Sequence, residues 1–329
     1  MNRRDFLKKT AAIAALGTVL KLTAADEIKA ADKKVDDKKP EETKKNDAAK
    51  KPDIVAVRNG EPAAMFEAAM KELGGMKEFV RKDQTVVIKP NMAWDRPPEM
   101  GATTNPDLME ALLKSLKEVG VRKVYLIDTT CDNWKNCIKS SKMEEIAKKY
   151  DAEIVCGDTQ RDQAFVDKWF LKNVEIKGAQ KMKNVTINKL LKECDVFINV
   201  PILKNHGGAT MTCCMKNMMG VVSKDMQMKI HQGGLHQCIA EVGSYRKPDL
   251  NIVDAYRVMT KRGPKGVDAS DVKLLKTLMV GKDMVALDVL AAKLLEFPVD
   301  RIGHIKEGEK LGLGTSDISK LTIKKVTLA

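Results

Sequence analysis

The densest reactive chemistry in the chain lies between residues 204 and 236: Lys204-Asn205-His206-Gly207-Gly208, then Thr212, Cys213-Cys214, Lys216-Asn217 and Gly220, with His231 and His236 beyond. Three of the four histidines fall here. Imidazole, amine and thiol are the groups from which acid/base, anion-binding and soft-metal sites are built. Lys204, His206, Lys216 and His231 therefore form the candidate catalytic set. A lysine buried among like charges gives up its proton easily and can act as a base. Gly207-Gly208 is expected to turn backbone amides toward an anion at the start of a helix over residues 209–222.

The thiols suggest a second chemistry. Cys213 and Cys214, with Cys131 and Cys137 from the loop after Asp128, are candidate ligands for a transition metal or an iron-sulfur cluster, His206 and His231 assisting. Neighbouring cysteines on a helix diverge, so one of the Cys213-Cys214 pair is expected in the core. Met211, Met215, Met218, Met219, Met226 and Met228 could supply soft thioether ligands to copper, and the helical spacing of Met211, Met215 and Met218 also fits a plain core face. The seven cysteines are too scattered for a disulfide framework, and no CxxC pair or four-cysteine ferredoxin spacing is present.

These residues sit where short apolar runs stop. Runs at 54–57, 86–88, 124–127, 154–155, 196–200 and 250–253 read as buried strands, and helical periodicity marks 63–80, 108–119, 143–150, 235–242 and 284–295, with Asp283 as N-cap of the last. Alternation of this kind implies an α/β fold: a mostly parallel sheet with flanking helices, as one unit or two intimately joined lobes over residues 53–329. Four strands run directly into polar residues: Lys89-Pro90-Asn91, Asp128, Asn199 followed by Lys204, and Asp254. Ligands of open parallel sheets bind outside the carboxyl ends of the strands. Lys89, Asn91, Thr104, Asp128, Asn217 and Asp254 are therefore candidate binding residues, with Lys89, Lys204 and Lys216 holding a carboxylate or phosphate. For Asp128 and Asp254, capping the following loop is an equal alternative.

The same residues resemble the family catalogued as domain of unknown function 362, whose pattern couples Lys-x-His after a strand to a Thr, a Lys-Asn and a downstream His. The resemblance covers Lys89-Pro90-Asn91, Thr103-Thr104-Asn105-Pro106, Asp128, Lys204-x-His206, Lys216-Asn217-Met218-Met219-Gly220, His231, Asp254, Gly263-Pro264-Lys265-Gly266, Asp283 through Asp288 and Gly312-Leu313-Gly314, nearly all of residues 54–328. It implies no assigned reaction. Relatives with fused ferredoxin modules are labelled iron-sulfur proteins; that module is missing from this sequence.

Composition narrows the partners. The formal net charge is +13, but residues 1–52 carry 14 Lys/Arg and 9 Asp/Glu, leaving +8 for the rest. With 4% aromatic residues, this mild excess argues against nucleic acid and suits a small anionic ligand. Asn2-Arg3-Arg4-Asp5-Phe6-Leu7-Lys8-Lys9, an uncharged stretch to Leu20 and Thr23-Ala24-Ala25 resemble a twin-arginine signal over residues 1–25, implying export to the periplasm through the Tat translocase. Residues 26–52, almost wholly Lys, Asp, Glu and Ala, read as a disordered charged linker.

Three functions fit. The leading one is a periplasmic metal- or iron-sulfur-dependent enzyme, oxidoreductase-like, acting on a small anion with an electron-transfer partner. The others are a non-catalytic anion-binding protein and a cofactor-independent Lys/His proton-transfer enzyme of racemase or isomerase type.

Overall fold

The computed structural model describes residues 51–329; the twin-arginine segment and nearly all of the charged linker lie outside the described residues. Twelve strands form among the described residues: β1 (Ile54–Arg58), β2 (Thr85–Pro90), β3 (Lys123–Ile127), β4 (Glu153–Val155), β5 (Phe170–Glu175), β6 (Asn184–Asn188), β7 (Val196–Val200), β8 (Ile202–His206), β9 (Thr210–Thr212), β10 (Leu250–Met259), β11 (Val272–Gly281) and β12 (Ile323–Thr327). Ten of them share one sheet. Its main path runs β12-β1-β11-β10-β7-β2-β3-β4, β8 joins β10 and β9 joins β8, while β5 and β6 pair separately.

From β10 to β4 the pairings on that path are all parallel, as are β8 with β10 and β1 with β12. Strand β11 runs antiparallel between β10 and β1, and β9 runs antiparallel to β8. The expected mostly parallel α/β sheet is therefore present. Its central strands read as unbroken apolar runs because both faces are covered. Val86 and Ile88 face one core, with Met65, Phe66, Leu112 and Leu116 from helices Pro62–Glu72 and Pro106–Val119. Val87 and Phe197 face the other, with Ile239 and Val242 from helix Leu235–Tyr245 and Val285 and Val289 from helix Met284–Leu294.

Local signals place the helices well. Asn105 caps Pro106–Val119 by accepting from Asp107 N at 2.9 Å, Pro106 occupies the first turn, and Gly120 ends it at φ 81°. Asp283 caps Met284–Leu294 through Ala286 N at 2.8 Å, as expected. The helix expected over 63–80 stops at Glu72, and a separate 3-10 turn follows at Met76–Glu78.

The largest difference falls in the reactive segment. No helix spans 209–222: β8 turns through Gly207-Gly208 into β9, and only Cys214–Asn217 is α-helical, followed by a 3-10 turn at Met218–Val221. Strand pairing of Lys204 with Thr212 and His206 with Thr210 overrode the helical spacing of the methionines. Met211, Met215 and Met218 are fully buried in the core, the plainer of their two expected roles.

Among the described residues, no helix is long and apolar enough to cross a membrane.

Candidate functional site

The carboxyl ends of β2, β3 and β8 and the turn after β9 converge on a crevice of about 190 Å³. Its walls bring together nine of the residues singled out in the sequence: Lys89, Asn91, Asp128, Cys131, Lys204, His206, Lys216, Asn217 and His231. Trp94, Gln227 and Pro264 complete the mouth.

Lys89 continues β2 and meets Asp128, the residue after β3, at 2.9 Å, with both side chains 1% exposed. Burial lowers the Lys89 pKa and raises that of Asp128, and their mutual attraction opposes both shifts. The Lys89 ammonium also donates to the Pro90 carbonyl and, at 3.4 Å, to Asn217 Oδ1, so two hydrogen bonds and the ion pair hold it. Asp128 Oδ2 accepts from Met92 N at 2.9 Å. Gly220 passes directly over this pair. A Cβ there would lie 2.0 Å from Asp128 Oδ1 and 2.4 Å from Lys89 Cε, so only glycine lets the backbone approach so closely.

Lys204 and Lys216 are differently placed. Lys204, 1% exposed, donates to Ala102 O at 2.5 Å and to Asn91 Oδ1 at 3.4 Å. Two acceptors match the two N–H bonds of a neutral amine and leave its lone pair free. Burial, reinforced by Lys216 and Lys89, brings its pKa down to about 7. Lys216 has no hydrogen bond or ion pair among the described residues, and burial with Lys89 nearby lowers it to about 8. Asp128, committed to Lys89, is the one carboxylate lining the crevice.

His206 accepts from Gly208 N at 3.1 Å and Ala209 N at 2.9 Å, both at Nδ1. Its proton therefore resides on Nε2. Burial first, then Lys216, His231 and Lys204, lowers its pKa to about 3. His206 is thus held as a neutral N–H donor. The Gly208 amide points at this ring, so the Gly207-Gly208 turn is not the expected anion cradle. His231 lies exposed on helix Lys224–Gln232, stacked on His206 with ring centres 6.2 Å apart, at the rim rather than inside.

Thr104 and Asp254 do not line the crevice. Thr104 Oγ1 accepts from Asn91 N at 2.8 Å and donates to Val200 O at 2.7 Å, fixing Asn91. Asp254 accepts from Asn105 N at 2.8 Å and Tyr256 N at 3.0 Å, the capping alternative. Burial raises its pKa to about 6.

The candidate metal ligands separate. Cys131 is exposed at the crevice mouth, and Cys137 is buried elsewhere, its thiol pushed up to about 12 by burial. Cys213 and Cys214 instead meet Asp288, with one donor atom from each within 4.8 Å of the others; this is the group of such ligands that converges among the described residues. The four-cysteine set expected from the sequence is not assembled. The two thiols do not diverge, because Cys213 precedes the helix with extended backbone (φ −153°).

Sequence reading missed the link between the two regions. Asn217 Nδ2 donates to Lys89 O at 3.0 Å and Asn199 Oδ1 at 2.8 Å, while Asn199 Nδ2 donates to Cys214 O at 3.1 Å and Asn251 Oδ1 at 2.9 Å. Asn91 Nδ2 donates to Asn217 Oδ1 at 3.0 Å, so a chain of buried amides runs from crevice to thiols. Asn199 inside Val-Phe-Ile-Asn-Val, and Asp288 inside an otherwise apolar helix, were the available signals. His304 carried none.

A model of the domain of unknown function 362 family matches residues 86–293, more than half of the chain. A thylakoid-associated protein of Synechocystis is 24% identical over 266 residues, covering 77% of this chain and 76% of that protein. Two solved structures are similar: a structural-genomics target from Thermotoga maritima (9% identity, TM-score 0.42) and the lactate racemase apoprotein of Thermoanaerobacterium thermosaccharolyticum (11%, 0.37). The matches cover 76% and 71% of this chain but 60% and 55% of those proteins. With more than half its length matched by the family's model, this chain belongs to the domain of unknown function 362 family.

Proposed function

We propose that the crevice binds a small carboxylate and moves a proton at the carbon beside the carboxylate group, the chemistry of an isomerase or racemase. One observation carries this reading: Lys204 and Lys216 share a crevice whose one lining carboxylate is already committed to Lys89. Lys216 supplies the cation for the bound anion. Lys204, about half neutral near pH 7, takes the proton: the C–H bond breaks, its electron pair moves onto the carboxylate oxygens, and the proton goes to Nζ. His206 Nε2–H and Lys216, both in the crevice wall, stabilise the added charge. The volume of about 190 Å³ suits molecules of a few heavy atoms.

Export through the twin-arginine pathway to the periplasm is part of the proposal, supported by Arg3-Arg4 and the uncharged stretch after them. Changing both arginines to lysine should leave the protein in the cytoplasmic fraction. The metal- or iron-sulfur-dependent oxidoreductase reading is less well supported, because Cys213 and Cys214 gather beside Asp288 and do not line the crevice.

Deuterium uptake tests the reaction. Two- to four-carbon carboxylates incubated in D2O should lose their α-proton signal with the parent protein and keep it with Lys204→Met. Binding without exchange across that panel would reject proton transfer and favour the anion-binding alternative.

A further inference from the structure

Behind the crevice, three potential ligands converge, and a fourth side chain, His304, reaches one of them, Asp288, without lying as close to all three. Cys213 and Cys214 bring their sulfurs to 4.0 Å, and Asp288 closes on both. The Asp288 oxygens accept from Cys214 N at 2.7 Å and Met215 N at 3.2 Å, which fixes the carboxylate while leaving lone pairs unused. His304, from helix Gly303–Lys310, approaches from the far side with Nε2 at 3.7 Å from Asp288 Oδ2. All four residues are fully buried. His304 Nε2 has no hydrogen-bond partner, whereas its Nδ1 is held by His236 Nδ1 at 3.1 Å.

A buried imidazole nitrogen with nothing to bond is costly and rare. An inner nitrogen left free while the outer one is fixed by a hydrogen bond is the arrangement of a metal-bound histidine. We propose that Cys213, Cys214 and Asp288, joined by His304 once its ring moves in from beside Asp288, form a closed tetrahedral site for a thiophilic divalent cation of the zinc class. Two thiolates, an imidazole and a carboxylate exclude calcium and magnesium, which take oxygen ligands. Four protein ligands leave no position for substrate, so the ion is structural. Binding releases the two thiol protons, and the proton of the fraction of Asp288 that carries one, to solvent and involves no change of oxidation state. The ion anchors Cys214, whose carbonyl holds Asn199, and with it the turn that carries Lys216 and Asn217 into the crevice wall. This inference is independent of the proposed reaction.

Cobalt(II) added anaerobically to the reduced, full-length protein tests it. One equivalent should bind, with thiolate-to-cobalt charge-transfer absorption and the visible bands of a tetrahedral ion, and zinc should displace it. His304→Gln should weaken uptake at least about tenfold while retaining the thiolate absorption. Cys213→Ser should remove much of that absorption, and Cys137→Ser should change nothing. Should the variants not fold, X-ray absorption of the parent decides: two sulfur and two nitrogen or oxygen neighbours are expected. A folded parent that takes up no cobalt, or binds it without sulfur neighbours, would overturn the site, as would unchanged uptake in both Cys213→Ser and Asp288→Asn.

Discussion

The crevice and the thiol cluster hang on one short stretch, Lys204 to Asn217, yet burial acts on them in opposite directions. In the crevice it strips charge from amines, bringing Lys204 to about 7 and Lys216 to about 8. In the cluster it holds protons on acids, raising Asp288 to about 7 and Cys214 to about 11. The same desolvation leaves a larger share of the lysines neutral and free to accept a proton near pH 7, and makes the thiols poor nucleophiles. One region is open and has a cation to spare; the other is closed and rich in potential ligands. Reactivity here follows from what each buried group lacks: Lys216 has no carboxylate, and His304 has no hydrogen-bond partner at Nε2.

The comparison breaks most completely at Gly220. Gly220→Ala drives a methyl group into the Lys89–Asp128 pair, and separating a buried pair costs about 3–5 kcal/mol. Thermal denaturation should show that loss, and calorimetry should show loss of anion binding. An alanine variant as stable as the parent would mean that the pair is not packed as described.

Next in size is Lys204. Lys204→Met should cut proton transfer by about 10²- to 10⁴-fold, and Lys204→Arg should be equally inactive, since a guanidinium cannot serve as the base. Activity of the parent should rise with pH through about 7 as Lys204 deprotonates. A flat profile from pH 6 to 8 would point to another base.

The two regions should also separate in the pH dependence of stability. Lys204 and Lys216 have native pKa values below the free lysine value of 10.5. Between about 7 and 10.5 the unfolded chain therefore holds more protons, and stability rises with pH. Asp288 is raised from 3.8 to about 7, so between those values the native state holds more protons, and stability falls as pH rises. Each group contributes a slope of up to about 1.4 kcal/mol per pH unit. In chelator-treated protein, Lys204→Met should flatten the alkaline limb and Asp288→Asn the acid limb, as read by denaturant unfolding at each pH. Equal effects on both limbs would contradict the contrast.

The smallest effect is expected at the rim. His231 is exposed and only stacks on His206, so His231→Ala should change stability by less than about 0.5 kcal/mol. Anion affinity, followed by calorimetry, should shift less than that of any lysine variant.

Much of this architecture was legible in the sequence. Val86-Val87-Ile88 ending in Lys89, and Val124 to Ile127 ending in Asp128, announced both the parallel strands and the mouth they share. Nine of the fourteen residues singled out line one crevice because strand ends are local signals with a fixed spatial meaning. What stayed hidden was non-local. Strand β11 carries Lys273 and Lys276 across its apolar pattern, and β12 is a lysine-bearing edge, so neither reads as a strand. The β8–β9 hairpin was masked by methionines at helical spacing. That His206 Nδ1 accepts two backbone amides shows only in the fold. His304 joins Asp288 only through tertiary packing.

Burial, with the positive charges of neighbouring lysines, makes the crevice lysines reactive, and the most direct measurement of this is a pH titration of lysine side chains by NMR in protein labelled at Cε and Nζ. Two resonances should titrate near 7 and 8, the first vanishing in Lys204→Met and the second in Lys216→Met. Addition of a bound carboxylate should move both upward, because a nearby anion favours the protonated amine. If Lys204 and Lys216 titrate above 10 with the other lysines, the crevice holds only protonated ammonium groups at neutral pH and the account fails.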